Sequence, residues 1–317
     1  MAVVIEMRVV FMGTSSFAVL VLEEMLRSDD FAIQAVVTKP ACKAGRGQKL
    51  TPSPVCVKAE ETGLPLLQPL RVNDPDFVTS LRKLSPDVIV VAAYGQILKP
   101  ALLSLPPLGC VNVHASYLPR YRGPDPIRWT LLSGDKESGV SLMVMDEGID
   151  TGPILAQKKV VVEEDDTYSS LLFKLGVLGG TMVREILPLW EKRAITPYPQ
   201  EGEPSYAPMV KKEMARISWE EEAPRIVNRV RAFAVQPGAY AFFWGRRIKI
   251  LSASLLKTEG NDFPPGTILA IERERGIVVQ TGRGSVVVRT VQMENRKPMS
   301  FRDFCCGYRL QVGDQFQ

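Results

Sequence analysis

Histidine is almost absent. Among 317 residues only His114 carries an imidazole. Imidazole proton chemistry near neutral pH is therefore confined to one place in the chain. Cysteine is scarce and lacks a ligand pattern: Cys42, Cys56, Cys110, Cys305 and Cys306 contain no C-x-x-C pair. With a single histidine, that argues against a Cys/His zinc site, and no metal cofactor is expected. Reduced thiols in a cytoplasmic protein are the simple reading. No apolar run is long enough to span a bilayer. The stretch from Met1 to Arg8 lacks the basic start, apolar core and cleavage site of an export signal, so none is expected. The turn after the first strand has only Gly13 where a dinucleotide fingerprint needs three glycines, which counts against NAD or FAD.

What is present has the size of two domains. The net charge of +4 is unevenly spread: from residue 210 onward 18 Lys and Arg face 11 Asp and Glu, and before it 21 face 24. A basic second part fits a polyanionic partner, although a solvated basic surface has the same composition. Residues 8–12 predict a strand, 17–26 a helix and 33–37 a second strand, the opening of a parallel α/β sheet. Residues 38–54 predict a long loop with Lys39, Lys43, Arg46, Lys49 and no acid, a candidate finger for phosphate. The apolar runs 87–92, 109–113 and 139–145 predict further strands. Gly176, Gly179 and Gly180 within a long helix over 167–190 predict close helix packing. Pro197, Pro199, Pro204 and Pro208 mark a linker, placed at residues 191–209 between a catalytic domain (1–190) and a basic domain (210–317). In the latter, an amphipathic helix carrying Ile226, Val230 and Phe233 precedes short strands with Gly turns, the pattern of a small five-stranded barrel.

His114 stands where the apolar strand 109–113 meets a Pro/Gly-rich loop. Asn112 lies two residues before it, so on a strand both address one face. Strand 139–145 is expected to deliver the acidic stretch Met145-Asp-Glu-Gly-Ile-Asp150-Thr-Gly152 to the same sheet edge. An Asn N–H can stabilise an oxyanion, an imidazole can move a proton, and a carboxylate can orient that imidazole. The set of Asn112, His114 and Asp150 suits attack of an amine on an acyl or formyl carbon. No Ser or Cys is poised as a covalent nucleophile. Each residue also has a bland reading: a strand-end histidine is often structural, Asn112 can cap a turn, and Asp150 can shape a loop. Their convergence on one edge favours chemistry.

The run Asn112-Val-His-Ala-Ser-Tyr-Leu-Pro-Arg-Tyr-Arg-Gly123, with Gly134-Asp135, Gly139-Val140 and Met145 to Gly152, resembles the signature of the folate-dependent formyltransferases. Phe11-Met-Gly-Thr14, Ala44 to Lys49 with Pro52-Ser-Pro54, Val91 to Leu98 and the tail 299–307 with Gly313 narrow the resemblance to those acting on methionyl-tRNA. The resemblance spans essentially the whole chain. It implies a Rossmann-like α/β formyltransferase domain followed by a small OB-like β-barrel. It implies 10-formyltetrahydrofolate as donor, the amino group of initiator methionyl-tRNA as acceptor, and a cytoplasmic monomer. Asn112, His114 and Asp150 take the catalytic positions. Ser116, Tyr117, Leu118, Pro119, Tyr94, Gln96, Ile97 and Leu98 take the folate-binding ones. Arg46, with Lys43 and Lys49, takes the position of the loop that meets tRNA. The family usually has two alanines where this chain has Pro124 and Asp125, and commonly Leu at Tyr117. Transfer to a nucleotide-linked amino sugar, deformylation by water, and a non-catalytic RNA-binding role are the alternatives the sequence leaves open.

Overall fold

The computed structural model describes residues 6–44, 47, 49–234, 236–256 and 263–317. The chain forms two compact units, one from Met1–Pro126, Glu137–Val161 and Leu172–Pro208, the other from Ile127–Lys136, Val162–Leu171 and Met209–Gln317.

In chain order the elements up to the end of the long helix are β1 (Met7–Gly13), α1 (Ser16–Met25), β2 (Phe31–Val37), β3 (Cys42–Ala44), β4 (Lys49–Thr51), α2 (Pro54–Glu61), β5 (Leu66–Leu67), α3 (Pro75–Lys83), β6 (Val88–Ala92), α4 (Pro100–Leu103), β7 (Cys110–His114), α5 (Pro126–Ser133), β8 (Glu137–Val144), β9 (Ile154–Val161) and α6 (Tyr168–Glu191). Helix starts follow local chemistry. Ser53 and Asp74 accept the backbone N–H groups of Cys56 and Asp76, and Pro54 and Pro75 occupy the first helical positions of α2 and α3. The first unit is a seven-stranded sheet ordered β5-β2-β1-β6-β7-β8-β9. Strands β5, β2, β1, β6 and β7 run parallel. β6 is buried along its whole length, as a central parallel strand covered on both faces must be.

Two expectations change here. β8 pairs antiparallel with β7, so its end lies beside Cys110, away from His114, rather than at the same edge. β9 returns antiparallel beside it. The stretch 38–54 is not a plain loop: β3 and β4 pair as a hairpin, with Lys43 opposite Leu50 and Ala44 opposite Lys49. The expected close packing of α6 is present. A Cβ on Gly176 would stand 2.7 Å from Leu20 Cδ1 of α1, and one on Gly179 would stand 2.7 Å from Val113 Cγ1 of β7.

The second unit carries α7 (Ala223–Ala232), β10 (Ala239–Phe243), β11 (Arg246–Leu256), β12 (Ile268–Glu272), β13 (Gly276–Gln280), β14 (Ser285–Met293), β15 (Met299–Ser300) and α8 (Phe301–Tyr308). The apolar stripe of α7 is buried at Ile226 and Val230. The strands form an antiparallel sheet ordered β10-β11-β14-β13-β12, with β15 on β14. The last residues close this sheet into a barrel. Phe316 N donates to Gly266 O (2.9 Å) on one side, and Phe242 N donates to Gln317 O (2.7 Å) on the other. The Phe316 ring fills the gap, 5.4 Å from Trp219 and 5.0 Å from Phe243 between ring centres.

Candidate active site

β7 is held by β6 on one side and β8 on the other, and all five of its residues are buried. Asn112 and His114 leave it on one face, opposite Met143 and Ser141 of β8. Asp150 reaches them from the loop between β8 and β9, which folds back over that face. The loop is shaped by Asp146, whose Oδ1 accepts from Gly148 N (3.0 Å) and Thr151 Oγ1 (2.7 Å). At Gly152 a Cβ would run into the Val144 carbonyl, so only glycine fits.

The Asp150 carboxylate joins three groups. Oδ1 accepts from Asn112 Nδ2 at 3.1 Å, and Oδ2 accepts from Gly123 N at 2.8 Å. Oδ2 also lies 3.6 Å from His114 Nδ1. The other ring nitrogen, Nε2, is 2.9 Å from the Tyr121 carbonyl oxygen. A carbonyl only accepts, so Nε2 carries a proton. That leaves Nδ1, facing the carboxylate, as the nitrogen whose protonation can change. Asn112 uses one amide N–H on Asp150 and keeps the second for another acceptor. A ring nitrogen and an amide donor thus share one carboxylate.

The loop after β7 is pinned by residues the sequence reading did not single out. Ser141 Oγ donates to Ser116 O (2.7 Å) and accepts from Leu118 N (3.0 Å). Gln157 Nε2 donates to Leu118 O (2.8 Å) and Ser141 Oγ (2.8 Å). Ser205 Oγ accepts from Tyr121 N (2.9 Å). Gln200 bridges Arg122 to the loop holding Asp150. Ser205 and Gln200 fall in the segment read as a linker, and that segment lies along residues 119–125, with Ala207 N donating to Arg122 O at 2.7 Å. Partners 16 to 84 residues apart leave no local spacing signal that could have revealed them.

The expected folate-lining residues divide. Ser116 is buried, with its Oγ donating to Arg120 O at 2.5 Å. Leu118 packs with Met143 and Ile154, and Pro119 is buried beside it. Tyr117 is exposed, with Lys159 Nζ 5.5 Å from its ring centre. Tyr94 and Leu98 are core side chains, so only their backbone can line a site at the sheet edge. Burial pushes the Tyr94 hydroxyl up to about 12. Gln96 braces another loop, its Oε1 accepting from Val72 N at 3.0 Å, while Ile97 is exposed. Thr14 Oγ1 ties this turn to the end of β1 through Tyr94 O at 2.8 Å. Lys43 and Lys49 are exposed on the hairpin, and Arg46 lies outside the described residues. Pro124 is exposed, and Asp125 is buried with its N–H on Ala207 O at 3.1 Å. The departure from two alanines therefore leaves the Gly123–Asp150 bond in place. Cys110 is no nucleophile, because burial pushes its thiol up to about 12.

A mostly parallel sheet whose third-from-edge strand carries Asn112 and His114 against Asp150 of a neighbouring loop, followed by a small antiparallel barrel, is the arrangement of a formyltransferase. A family profile described as "Formyl transferase" matches residues 7–184, and one described as "Formyl transferase, C-terminal domain" matches residues 209–309. The chain is 44% identical over 306 residues to the methionyl-tRNA formyltransferase of Syntrophus aciditrophicus, covering 96% of this chain and 97% of the relative. It is 42% identical over 307 residues to that of Pelotomaculum thermopropionicum, covering 97% of each. The fold is also that of HypX from Aquifex aeolicus, solved in complex with tetrahydrofolic acid: TM-score 0.63 at 18% identity, over 98% of this chain and 49% of that one. The chain belongs to the methionyl-tRNA formyltransferase family.

Proposed function

We propose that this chain transfers the formyl group of 10-formyltetrahydrofolate to the amino group of initiator methionyl-tRNA. The observation that carries the reading is the carboxylate of Asp150, which Asn112 and His114 share. Relatives above 40% identity along nearly the full chain support the choice of acceptor. The amine attacks the formyl carbon. The remaining N–H of Asn112 meets the oxygen that gains negative charge. His114 Nδ1, with Asp150 beside it, takes the proton the attacking nitrogen must lose and returns one to the departing folate nitrogen, directly or through water. Protons balance within one turnover, and no covalent enzyme intermediate is needed.

Ser116 to Pro119, with the backbone from Tyr94 to Leu98, are assigned to the folate side of the site. Lys43, Arg46 and Lys49 and the basic barrel are assigned to tRNA phosphates. The same reading takes the enzyme to act in the cytoplasm as a monomer. The test is direct: purified protein, 10-formyltetrahydrofolate and methionyl-tRNA should yield formylmethionyl-tRNA. No product with that acceptor, alongside turnover of a nucleotide-linked amino sugar, would overturn the reading.

A further inference from the structure

Two residues at the site are left-handed without being glycine, Tyr121 (φ 59°) and Asp150 (φ 53°). Such positions persist where the surroundings hold them, and they gather at functional sites. Both are held from one segment, the proline-rich stretch before Pro208. Gln200 Nε2 donates to Asp150 O at 2.8 Å and to Gly152 O at 2.9 Å. Its Oε1 accepts from Arg122 Nη2 at 2.7 Å and Nε at 3.1 Å. The amide has one orientation only, because its partners are two pure acceptors and one pure donor. Ser205 Oγ accepts from Tyr121 N at 2.9 Å, and Tyr121 O receives His114 Nε2. The backbone reinforces this grip: Arg122 N donates to Ser205 O at 2.8 Å and Ser205 N to Pro119 O at 3.2 Å. Pro199 and Pro204 fix φ beside the two side chains.

We infer that this segment is a positioning strap, in which Gln200 sets the carboxylate of Asp150 and Ser205 sets the carbonyl that orients His114. The inference rests on the proposed formyl transfer. Neither side chain is assigned a contact with reacting atoms. Gln200 acts by fixing the backbone of Asp150 while Arg122 carries Gly123 to the same carboxylate. Ser205 acts one bond further out, through Tyr121.

The sharp variant is Gln200→Glu. It is close to isosteric and keeps the partner of Arg122, but turns a carboxylate toward two carbonyls. Gln200→Met loses those two bonds and the acceptor for Arg122 as well, without adding charge, and serves if the Glu variant folds poorly. Either is expected to lower kcat by about 10²-fold with KM for both substrates within about twofold. Ser205→Ala is expected to lower it about tenfold. In an Asp150→Ala background the Gln200 change should add less than about twofold, because its effect passes through that carboxylate. Losses that multiply, or a rise in KM with kcat unchanged, would overturn the inference. Amide exchange is a readout independent of turnover: Gly123 should exchange faster in the Gln200 variant and Tyr121 in the Ser205 variant. Unchanged exchange at both amides, or uniform acceleration across the unit, refutes the strap even if the wild type proves to formylate another acceptor. An inactive wild type with the expected local exchange would instead retire the proposed function alone.

Discussion

One nitrogen of His114 is committed to a backbone carbonyl, and this decides what the ring can do. With Nε2–H on Tyr121 O, only Nδ1 can gain or lose a proton beside Asp150. His114→Ala is expected to lower kcat by about 10²–10⁴-fold, the range for a lost general base. It also removes the hydrogen bond from His114 Nε2 to Tyr121 O, so stability should fall by about 1–2 kcal/mol while the fold survives. Near-normal single-turnover rates in that variant would take the imidazole out of the chemistry. The pairing of Asn112 with His114 was legible in the sequence because strand parity sets it, whereas Asp150 was brought forward by residue type alone and reaches them by a loop from an antiparallel β8. Gln200, Ser205, Ser141 and Gln157 were not, because their roles consist of hydrogen bonds to distant backbone. A titratable pair between β1 and the residue before β6 belongs to this scale too. The Arg8 guanidinium, assisted by the Arg8 backbone N–H, holds the Asp87 carboxyl below the usual carboxylate range, against the opposing pull of partial burial. The folded state therefore favours the ionised form. Its stabilisation is present above the ordinary Asp value of about 4 and is lost as pH falls through the lower folded value. Asp87→Asn should be less stable than wild type at pH 7, with a gap that narrows below about pH 4 in urea titrations. A gap of constant size at pH 3 would contradict this.

At the scale of elements, β7 is fixed from three sides: two neighbouring strands, and α6 pressed against its back. The contact falls at Val113, between Asn112 and His114, opposite Gly179. Ala is favoured over Gly in a helix by about 1 kcal/mol. Here the added Cβ would stand 2.7 Å from a stiff, β-branched side chain in a buried strand. Overpacking of this kind costs about 1–3 kcal/mol, so the clash outweighs the propensity and the sign is set. Gly179→Ala is expected to destabilise in urea unfolding and to lower kcat by shifting β7. A more stable protein would mean that Val113 yields freely. Periodicity in the sequence located the strands and the close-packed helix. It could not give the direction of β8, because the interval of over twenty residues after β7, with α5 inside it, has the length of a parallel crossover. Nor could it show the barrel's closure, which depends on Phe316 meeting residues about fifty and seventy positions away.

For the whole molecule, the decisive asymmetry is charge, and the structure gives it a surface within the second unit. On β10 and β11, Tyr240 pairs with Lys249 and Phe242 with Arg247. Arg247 lies 3.7 Å over the Tyr240 ring and Arg216 5.6 Å over the Phe242 ring. Stacked guanidinium groups keep N–H donors at the edges of their planes, where phosphate oxygens are bound. The first unit offers Lys43 and Lys49 on its hairpin. If these cations meet tRNA phosphates, binding releases counterions, and log affinity falls linearly with log salt by about 0.7–0.9 for each phosphate neutralised. Lys43→Ala and Arg247→Ala should each flatten that slope by about one, in filter binding or in the salt dependence of KM for methionyl-tRNA. The KM for the folate should stay unchanged, since no counterion atmosphere surrounds a small donor. Arg247→Ala also strips a ring of its cover, so its thermal stability must be measured alongside, whereas the exposed Lys43 needs no such control. Slopes equal to wild type in both variants would leave the basic excess as solvated surface and remove these residues from the tRNA interface.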